Sequence, residues 1–331
     1  MNVHSSISTG RWLAALFGAA VFCATGLASA QAEDAKPVRL VVGFPAGGAA
    51  DTLARRVAEG MAASLKQPVV VDNKPGANTI IAVNALKAAP ADGATVMLST
   101  DSTIILNPVL YKSLPYDVAR DLAPVGHIAT TPLILTASPA LAAGTPAELV
   151  KLAKARPGTL NYSSFGRGGT AHLAGELFRS MADIDVVHVA YAGGGPAQLA
   201  KVAGDVQYGF GILGSDMALV KEGRLRALAV GTVKRTRLAP QLPTLDELGF
   251  KGFDVTPKFG LVTRSGVPER TIVRLNAALN DVLRDPAFIS SMEKLGYEVG
   301  APDTPAAYRQ EMEADRVKWT QYIQRTGITI D

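Results

Sequence analysis

From Val38 onward the chain alternates short β-branched runs with amphipathic helical patterns, and this alternation limits its possible folds more than any other feature. The run "VRLVVGF" is typical of a strand, and the next segment carries Leu53, Val57 and Met61 at helical spacing. Continuous apolar strands between amphipathic helices indicate mainly parallel sheets that are covered on both faces. The composition, 48% hydrophobic but only 6% aromatic, also favours α/β packing over an aromatic-rich β-sandwich. We therefore predict an α/β fold.

Two segments interrupt this alternation. Residues 123–138 hold two strand-like runs with no helix between them, and residues 241–263 form a second irregular stretch. Between the two, a complete α/β block restarts at the capping box of residues 145–148. We infer that one domain is inserted in another, so that two chain crossings form a hinge and a ligand cleft lies between the lobes. The predicted domains are lobe 1 (31–128 plus 253–331) and lobe 2 (129–252).

The first thirty residues are typical of a secretory signal. Arg11 precedes the apolar run "WLAALFGAAVFCATGLASA", which ends in an Ala-x-Ala cleavage motif at Ala30. The alternative is a membrane anchor, because the uncharged run approaches spanning length. We predict a cleavable signal peptide at 1–30 and therefore export. Cys23 is the only cysteine, so the mature chain would have no thiols and no disulfides.

The charge pattern argues against a nucleic-acid partner. The formal net charge of +4 falls to +3 when Arg11 leaves with the leader, and the remaining charges are interspersed. No Lys/Arg block is present. The charge supports only a weak preference for anionic ligands.

The first candidate binding loop is "GFPAGG", residues 43–48, which joins a strand directly to a helix. It lacks the Gly-Lys-Ser/Thr of a P-loop and the Gly-x-Gly-x-x-Gly of a dinucleotide site, and the chain contains no Gly-x-Ser-x-Gly. Free N–H groups at a helix start can bind an anion without a cationic side chain, and glycines allow close approach. Asp51, in the first turn, can cap such N–H groups. The alternative is an ordinary turn that binds nothing.

A second loop, "NYSSFGRGGTAHLAGELF", repeats the strand–glycine loop–helix pattern in the other predicted lobe. Two helix N-termini that face each other across a cleft would suit a ligand with a carboxylate at each end. A third candidate, "YAGGGPAQL", begins at Tyr191. The candidate groups of the second loop are the hydroxyls of Ser163, Ser164 and Thr170 and the backbone N–H groups of Gly166, Gly168 and Gly169.

Two side chains of the second loop have open roles. His172 could act as a base or a metal ligand, or it could be a structural hydrogen-bonding group. Arg167 could reach a carboxylate or could simply be solvated. The histidines show no metal-ligand spacing, and no nucleophile–base–orienter set stands out. We predict no catalytic residue, no metal and no cofactor, and therefore not an enzyme.

Several stretches, in this order and spacing, resemble a known family: "FPAGGAAD", "VVDNKPGA", "PADGATVMLST", "LYKSLPYDVARDLAPVGHIA", "NYSSFGRGGTAHLAGELF" and "VAYAGGGPAQ". The chain resembles the Bug (TctC-like) periplasmic solute-binding proteins of tripartite tricarboxylate transporters over essentially its whole mature length. The resemblance implies a type II-like periplasmic binding protein fold whose two lobes close on a small organic anion. It also implies a monomer in the periplasm that serves membrane permease subunits.

The resemblance also implies a set of ligand contacts. The first loop would take one carboxylate largely through backbone N–H groups and ordered water. The residues concerned would be Phe44, Ala46, Gly47 and Gly48. The remaining contacts would come from the second loop, 163–170, and from the strand end at 100–103, which includes Thr100 and Ser102.

Three departures from the family pattern bear on the ligand. A bulky segment, 78–81, replaces a glycine-rich turn near the cleft entrance, and Arg167 replaces a common Asn. Gly211 lies where many relatives carry Asp or Asn, so we expect a larger pocket without an acid there. We therefore hypothesise a carboxylate ligand that has no amino group and is bulky or aromatic.

Two other functions stay open at this stage. A periplasmic sensor that passes ligand occupancy to a signalling partner would use the same cleft as a transport receptor. A secreted hydrolase would instead turn its ligand over.

Overall fold

The computed structural model describes Met1 and residues 36–326. The chain separates into two units, Met1–Lys36 and Pro37–Asp331, and the elements below lie in the second. Apart from Met1, the predicted signal peptide lies outside the described residues. Among the residues described, no helix is both long enough and apolar enough to cross a membrane.

The secondary structure alternates between strands and helices along most of the chain. The strands are β1 (Val38–Val42), β2 (Val69–Asn73), β3 (Thr95–Thr100), β4 (Leu122–Thr130), β5 (Leu133–Ala137), β6 (Asn161–Ser164), β7 (Val187–Ala190), β8 (Tyr208–Ile212), β9 (Arg226–Val230), β10 (Lys258–Arg264) and β11 (Glu298–Val299). The α-helices are α1 (Ala49–Leu65), α2 (Ile80–Lys87), α3 (Asn107–Leu110), α4 (Val118–Asp121), α5 (Pro146–Ala155), α6 (Thr170–Ala182), α7 (Gly194–Ala203), α8 (Leu213–Lys221), α9 (Glu269–Arg284), α10 (Pro286–Lys294) and α11 (Pro305–Thr326).

The strands form two sheets. The first sheet has the order β11-β4-β10-β3-β1-β2, and the second has the order β7-β6-β8-β5-β9. In the first, β1 runs parallel to β2 and β3, whereas β10 is antiparallel to β3 and β4. In the second, β6 runs parallel to β7 and β8, whereas β5 is antiparallel to β8 and β9. The predicted α/β class is therefore confirmed.

The strands of both sheets run mainly in one direction, as predicted, but each sheet also contains reversed strands: β10 and β11 in the first and β5 in the second. Strands β5 and β10 lie in the two segments in which the sequence pattern lacks a helix. A parallel neighbour needs a long crossover connection, usually a helix, whereas an antiparallel one does not. The irregular segments therefore mark the strands that reverse direction.

The chain crosses from the first sheet to the second through residues 131–132, and it returns between β9 and β10. The backbone N–H of Thr131 donates to the carbonyl of Pro257 at 3.0 Å, so the two crossing segments are hydrogen-bonded to each other. The boundaries between the two lobes, placed between residues 128 and 129 and between residues 252 and 253, stay a prediction. We propose this division because the change of sheet falls close to both.

The helices of the first sheet cover both of its faces. On β1, Leu40 packs in one core cluster with Leu53 and Val57 of α1, while Val41 packs in another with Leu86 of α2. All five side chains are fully buried. Successive strand residues point to opposite faces, so a continuous apolar strand requires helices on both sides.

The predicted apolar stripe of α6 is only partly buried. Leu173 and Leu177 are buried, but Met181 is 37% exposed. The helix ends at Ala182, so Met181 lies in its last turn and extends beyond the packed face.

Candidate ligand-binding site

One cavity of about 350 Å³ is lined by residues of both sheets and of the helices that follow their strands. Seven predicted ligand contacts line it: Phe44, Ala46, Gly47, Gly48, Thr100, Ser102 and Thr170. The other lining residues are Pro45, Ala49 and Ala50, Phe165, 192–198 and Lys201, 210–212, Ser215 and Asp216, and Pro257 and Phe259.

In the described part of the chain, four α-helices begin at this cavity: α8 has Ile212 at its N-cap, and the other three, α1, α6 and α7, each have a glycine there. The cap residues are Gly48, Gly169 and Gly193, and none of these helices has a side-chain cap. Helix α5, which begins elsewhere, is capped by the hydroxyl of Thr145. The first N–H groups of a helix have no intrahelical partner and carry the positive end of the helix dipole. The cavity therefore favours an anion on electrostatic grounds.

The first and second loops have the same backbone conformation. Gly47 has φ +79° and is followed by Gly48 with φ −80° and ψ 174°. Gly168 has φ +75° and is followed by Gly169 with φ −85° and ψ 172°. The positive φ favours glycine at the first position of each pair. Because the second position has an ordinary φ, it can be substituted without backbone strain.

Each loop is also held by a side chain four residues further on. The N–H of Gly47 donates to Oδ2 of Asp51 at 2.8 Å, and the N–H of Gly168 donates to Nδ1 of His172 at 3.0 Å. The two side chains thus have equivalent positions, although one is an acid and the other an imidazole.

Asp51 is buried and all its interactions are internal. Its Oδ2 accepts from Nε of Arg55 at 2.9 Å, and its Oδ1 accepts from Nδ2 of Asn73 at 2.9 Å. Burial alone would raise the pKa of this carboxyl, but the hydrogen bonds from Arg55, Gly47 and Asn73 hold the pKa below its ordinary value. Asn73 also donates to the carbonyl of Phe44 at 3.1 Å. Asp51 therefore shapes the first loop and does not line the cavity.

His172 belongs to a buried network beneath the second loop. Its ring stacks on that of His188 with centroids 3.9 Å apart, and Nε2 of His188 lies 2.7 Å from Oγ of Ser164. Burial lowers the pKa of both imidazoles, that of His188 to about 3, which favours their neutral forms. In the described part of the chain, no group of three His, Cys, Asp or Glu side chains is placed to hold a metal ion. The geometry of His172 favours the structural role over the base or metal ligand.

The remaining predicted contacts do not line the cavity. Ser163 is buried and its hydroxyl has no partner among the described residues, Arg167 is exposed, and Tyr191 is half-buried. Their direct contact with a ligand stays a prediction. The predicted contacts outside the lining are Asp51, Ser163, Ser164, Gly166, Arg167, Gly168, His172 and Tyr191.

The bulky segment that follows Gly76 packs against the second loop. Ala77, Asn78 and Thr79 all have positive φ, an uncommon conformation for residues with a side chain. A Cβ on Gly169 would lie 3.5 Å from Oδ1 of Asn78. This segment therefore limits the space at the start of α6.

The sequence did not single out a buried polar cluster in the cavity wall. Asp216 of α8 and Lys201 of α7 are 0% and 1% exposed, and Nζ of Lys201 donates to Oδ2 of Asp216 at 2.5 Å. Gln198 donates to Oδ1 of Asp216 at 2.8 Å, and Thr136 of β5 donates to Oδ2 at 2.6 Å. The only indication in the sequence is that Lys201 falls four residues after the buried Ala197.

The cluster corrects the expectation about Gly211. A Cβ at this position would lie 2.2 Å from Oδ2 of Asp216, so the carboxyl of Asp216 fills the space that the glycine leaves. Gly211 does not enlarge the pocket, and an acid does lie in the wall beside it.

The rest of the wall is largely apolar. Phenylalanines from four different segments contribute to it, together with prolines and alanines. Only one of the four, in the first loop, is among the residues that the sequence predicts as ligand contacts. They are Phe44, Phe165, Phe210 and Phe259.

Two sheets and a cavity lined from both, with three glycine-capped helices beginning beside it, are the features of a solute-binding protein. The model of the family described as "Tripartite tricarboxylate transporter family receptor" (TctC) matches residues 53–328, and the chain belongs to this family. Members of the family are solute-binding receptors of the periplasm. The predicted resemblance is therefore confirmed.

Individual relatives agree with this assignment. Protein BugT of Bordetella pertussis is 33% identical over 315 residues, which cover 93% of this chain and 95% of BugT. The structure of R. palustris Rpa4515 with adipate superposes with a TM-score of 0.85 at 31% identity and covers 88% of this chain and 98% of its own. MatC from Rhodopseudomonas palustris with bound malate has a TM-score of 0.81 at 28% identity, and the match covers 86% of this chain and 98% of MatC. The fold is that of the periplasmic binding proteins.

Proposed function

We propose that this chain is a monomeric periplasmic receptor that captures a small organic carboxylate and delivers it to the permease subunits of a tripartite tricarboxylate transporter. The observation that carries the proposal is the convergence of three glycine-capped helix N-termini on one cavity. Membership of the TctC family supports the same role. So do the relatives whose structures contain adipate and malate.

Backbone amides would hold the carboxylate at the first loop. The N–H of Gly47 already donates to Asp51, so we propose that the next N–H groups along the chain, those of Gly48 and Ala49, bind the ligand. A carboxylate there would satisfy free donors and the helix dipole together. No cationic side chain is needed for this contact.

The ligand we propose has no amino group. An ammonium group would need an acceptor, and the acid that lines the cavity, Asp216, already accepts hydrogen bonds from Lys201, Gln198 and Thr136. The four phenylalanines of the wall favour a ligand with an apolar or aromatic body.

A thermal-shift screen followed by calorimetry tests this proposal. The panel contains malate, adipate, benzoate, phenylacetate, aspartate and glutamate. A ligand at 100 times its Kd stabilises the folded state by about 2.7 kcal/mol, so binding is visible as a higher Tm. We expect one or more simple carboxylates to bind and the two amino acids not to. A preference for aspartate or glutamate would contradict the ligand class, and no response to any organic acid would contradict the receptor role.

Export and delivery need separate experiments. N-terminal sequencing of the exported protein is expected to begin at Gln31. Uptake of a labelled ligand by spheroplasts that contain the permease is expected to depend on added receptor. Uptake that is equally fast without the receptor would contradict delivery.

A further inference from the structure

We infer that Lys201, Asp216 and Gln198 form a second ligand subsite, which receives an uncharged hydrogen-bond acceptor at the end of the ligand opposite its carboxylate. This inference rests on the proposed function, because it places the carboxylate at the first loop. All three side chains line the cavity, and they belong to the second sheet's helices α7 and α8. The first loop belongs to the first sheet, so a ligand would span both.

The donors of Lys201 are not all used within the cluster. An ammonium group carries three N–H donors. Lys201 donates one to Oδ2 of Asp216 at 2.5 Å and one to the hydroxyl of Thr136 at 2.6 Å. The hydroxyl of Thr136 donates its own hydrogen bond to Oδ2 of Asp216. One ammonium hydrogen of Lys201 is therefore available for a ligand oxygen at the cavity wall.

Both carboxylate oxygens of Asp216 already accept hydrogen bonds within the cluster. Oδ2 of Asp216 accepts from Lys201 and Thr136, and Oδ1 accepts from Gln198. A ligand ammonium would have to share Oδ1 with Gln198, and it would lie beside the ammonium of Lys201, whose like charge repels it. The cluster consequently offers donors to a ligand and few open acceptors.

The charge balance favours an uncharged acceptor over a second carboxylate. The charge of Lys201 is offset by Asp216, and both side chains are almost completely buried. A second carboxylate would have to lose its hydration beside a pair that is already neutral, which is costly in an apolar wall. A hydroxyl or amide oxygen can accept the same hydrogen bond with a much smaller desolvation cost.

Gly211 is the residue that makes this arrangement possible. Any Cβ at that position would overlap the carboxyl of Asp216, at 2.2 to 2.3 Å. The glycine therefore lets Asp216 reach Lys201 from the neighbouring helix.

The test uses straight-chain acids that share one carboxylate and differ only at the far end. At six carbons the set is hexanoate, ω-hydroxyhexanoate, adipic acid monoamide, adipate and ω-aminohexanoate, and the homologous set at the best-binding chain length is used if it differs. We expect the hydroxyl and amide forms to bind about 3- to 10-fold more tightly than the methyl-terminated acid, since one added hydrogen bond is worth about 1 kcal/mol. Adipate and the ω-amino acid are expected to bind more weakly than the hydroxyl form.

Variants locate the effect at the cluster. Lys201→Met alone would leave Asp216 buried without its counter-ion, so it is combined with Asp216→Asn. In the double variant the hydroxyl form is expected to lose its advantage over hexanoate. Lys221→Met removes an exposed lysine of α8 and serves as the control. It is expected to keep the wild-type order of affinities.

Failure of the inference and failure of the proposed function give different results. If wild-type protein prefers the dicarboxylate at every chain length, or the double variant keeps the hydroxyl advantage, the subsite is wrong and the receptor role stands. If none of these acids and no acid of the wider panel binds, both are wrong. If the double variant does not fold, the ranking of ligands by the wild-type protein still decides the question.

Discussion

Gly214 and Gly296 lie against each other backbone to backbone: a Cβ on Gly296 would come within 2.3 Å of the nitrogen of Gly214 and 2.5 Å of its Cα. A Cβ on Gly214 would in turn lie 1.7 Å from the carbonyl oxygen of Leu295. Gly214 is in α8, beside the second sheet, and Gly296 precedes β11 of the first. The hydroxyl of Thr131 donates to the carbonyl of Gly296 at 2.8 Å, close to the chain crossing. The two halves of the fold therefore touch at a point that has no room for a side chain.

We expect Gly214→Ala to lower the free energy of unfolding by about 1–3 kcal/mol, because backbone atoms rather than a flexible side chain must move. Chemical denaturation measures this change. Gly144→Ala is the control, since a Cβ at that exposed position would meet only the side chain of Glu148 at 3.4 Å. Equal stability of the two variants would show that the contact can relax freely.

Gly48→Val is expected to weaken carboxylate binding about 10-fold or more, because a branched side chain at the N-cap of α1 blocks approach to the backbone N–H groups. The fold should tolerate it, since φ is −80° and the nearest atom to a new Cβ is the carbonyl oxygen of Pro45 at 3.5 Å. Gly47 is a poorer choice, because its φ of +79° strains any other residue. Calorimetry measures the affinity, and Gly144→Val is the control.

Gly195→Val tests whether a branched side chain at the start of α7, on the other side of the cavity, also weakens carboxylate binding. A Cβ there meets nothing within 4 Å, so the added side chain would extend into open space at the start of α7. Loss of binding in only one of the variants at positions 48 and 195 would mean that a single helix N-terminus holds the ligand.

Asp51→Ala is expected to lower both stability, by about 1–3 kcal/mol, and ligand affinity, because the N–H of Gly47 and the side chain of Asn73 lose their acceptor. Asp51→Asn, which keeps an acceptor oxygen, should recover part of both. Asp205→Ala, at an exposed aspartate, is the control for the loss of a charge. Thermal unfolding and calorimetry measure the two effects. Unchanged affinity in Asp51→Ala would show that the first loop keeps its shape without this side chain.

Asp101 makes stability depend on pH. This buried residue follows β3, and its Oδ2 accepts from the backbone N–H of Lys258 at 3.0 Å. Burial, with the negative charges of Asp315 and Glu311, raises its pKa to about 7 despite the hydrogen bond and charge of Lys258. A raised carboxyl pKa means that the folded state binds a proton that the unfolded state has lost. The stability contributed by this group is therefore present below about pH 4 and is lost as the pH rises through about 7.

We expect Asp101→Asn to remove this loss, so that its free energy of unfolding falls less than that of wild type between about pH 4 and pH 8. The difference between the two curves should change by up to about 4 kcal/mol across that range. Denaturation at a series of pH values measures it, with Asp205→Asn as the control. Parallel curves for Asp101→Asn and wild type would contradict the raised pKa.

The sequence predicts best what depends on neighbours along the chain. The helical spacing of Leu53 and Val57 and the strand pattern of β1 correspond to buried elements, because a local apolar period determines which face is covered. The capping box at Thr145 likewise forms, since Glu148 donates its N–H to the hydroxyl of Thr145. These features need no information about distant residues.

Features that depend on distant pairs were missed. The direction of β10 follows from its partners β3 and β4, and no local pattern specifies it. The Lys201–Asp216 ion pair joins two helices. Thr136, which accepts a hydrogen bond from Lys201, lies 65 residues before it in the chain. The sequence predicts a larger pocket at Gly211, because it does not show that the side chain of Asp216 fills the space beside this glycine.

Under the proposed function, a bound anion would be the temporary cap of each glycine-capped helix that it contacts. A serine or aspartate at these positions would satisfy the free N–H groups permanently and would stabilise the empty protein by a few tenths of a kcal/mol or more at each helix. The same hydroxyl or carboxylate would then compete with the ligand for its donors. Gly48→Ser is accordingly expected to produce a more stable and weaker-binding protein, so that thermostability and affinity oppose each other at the start of α1.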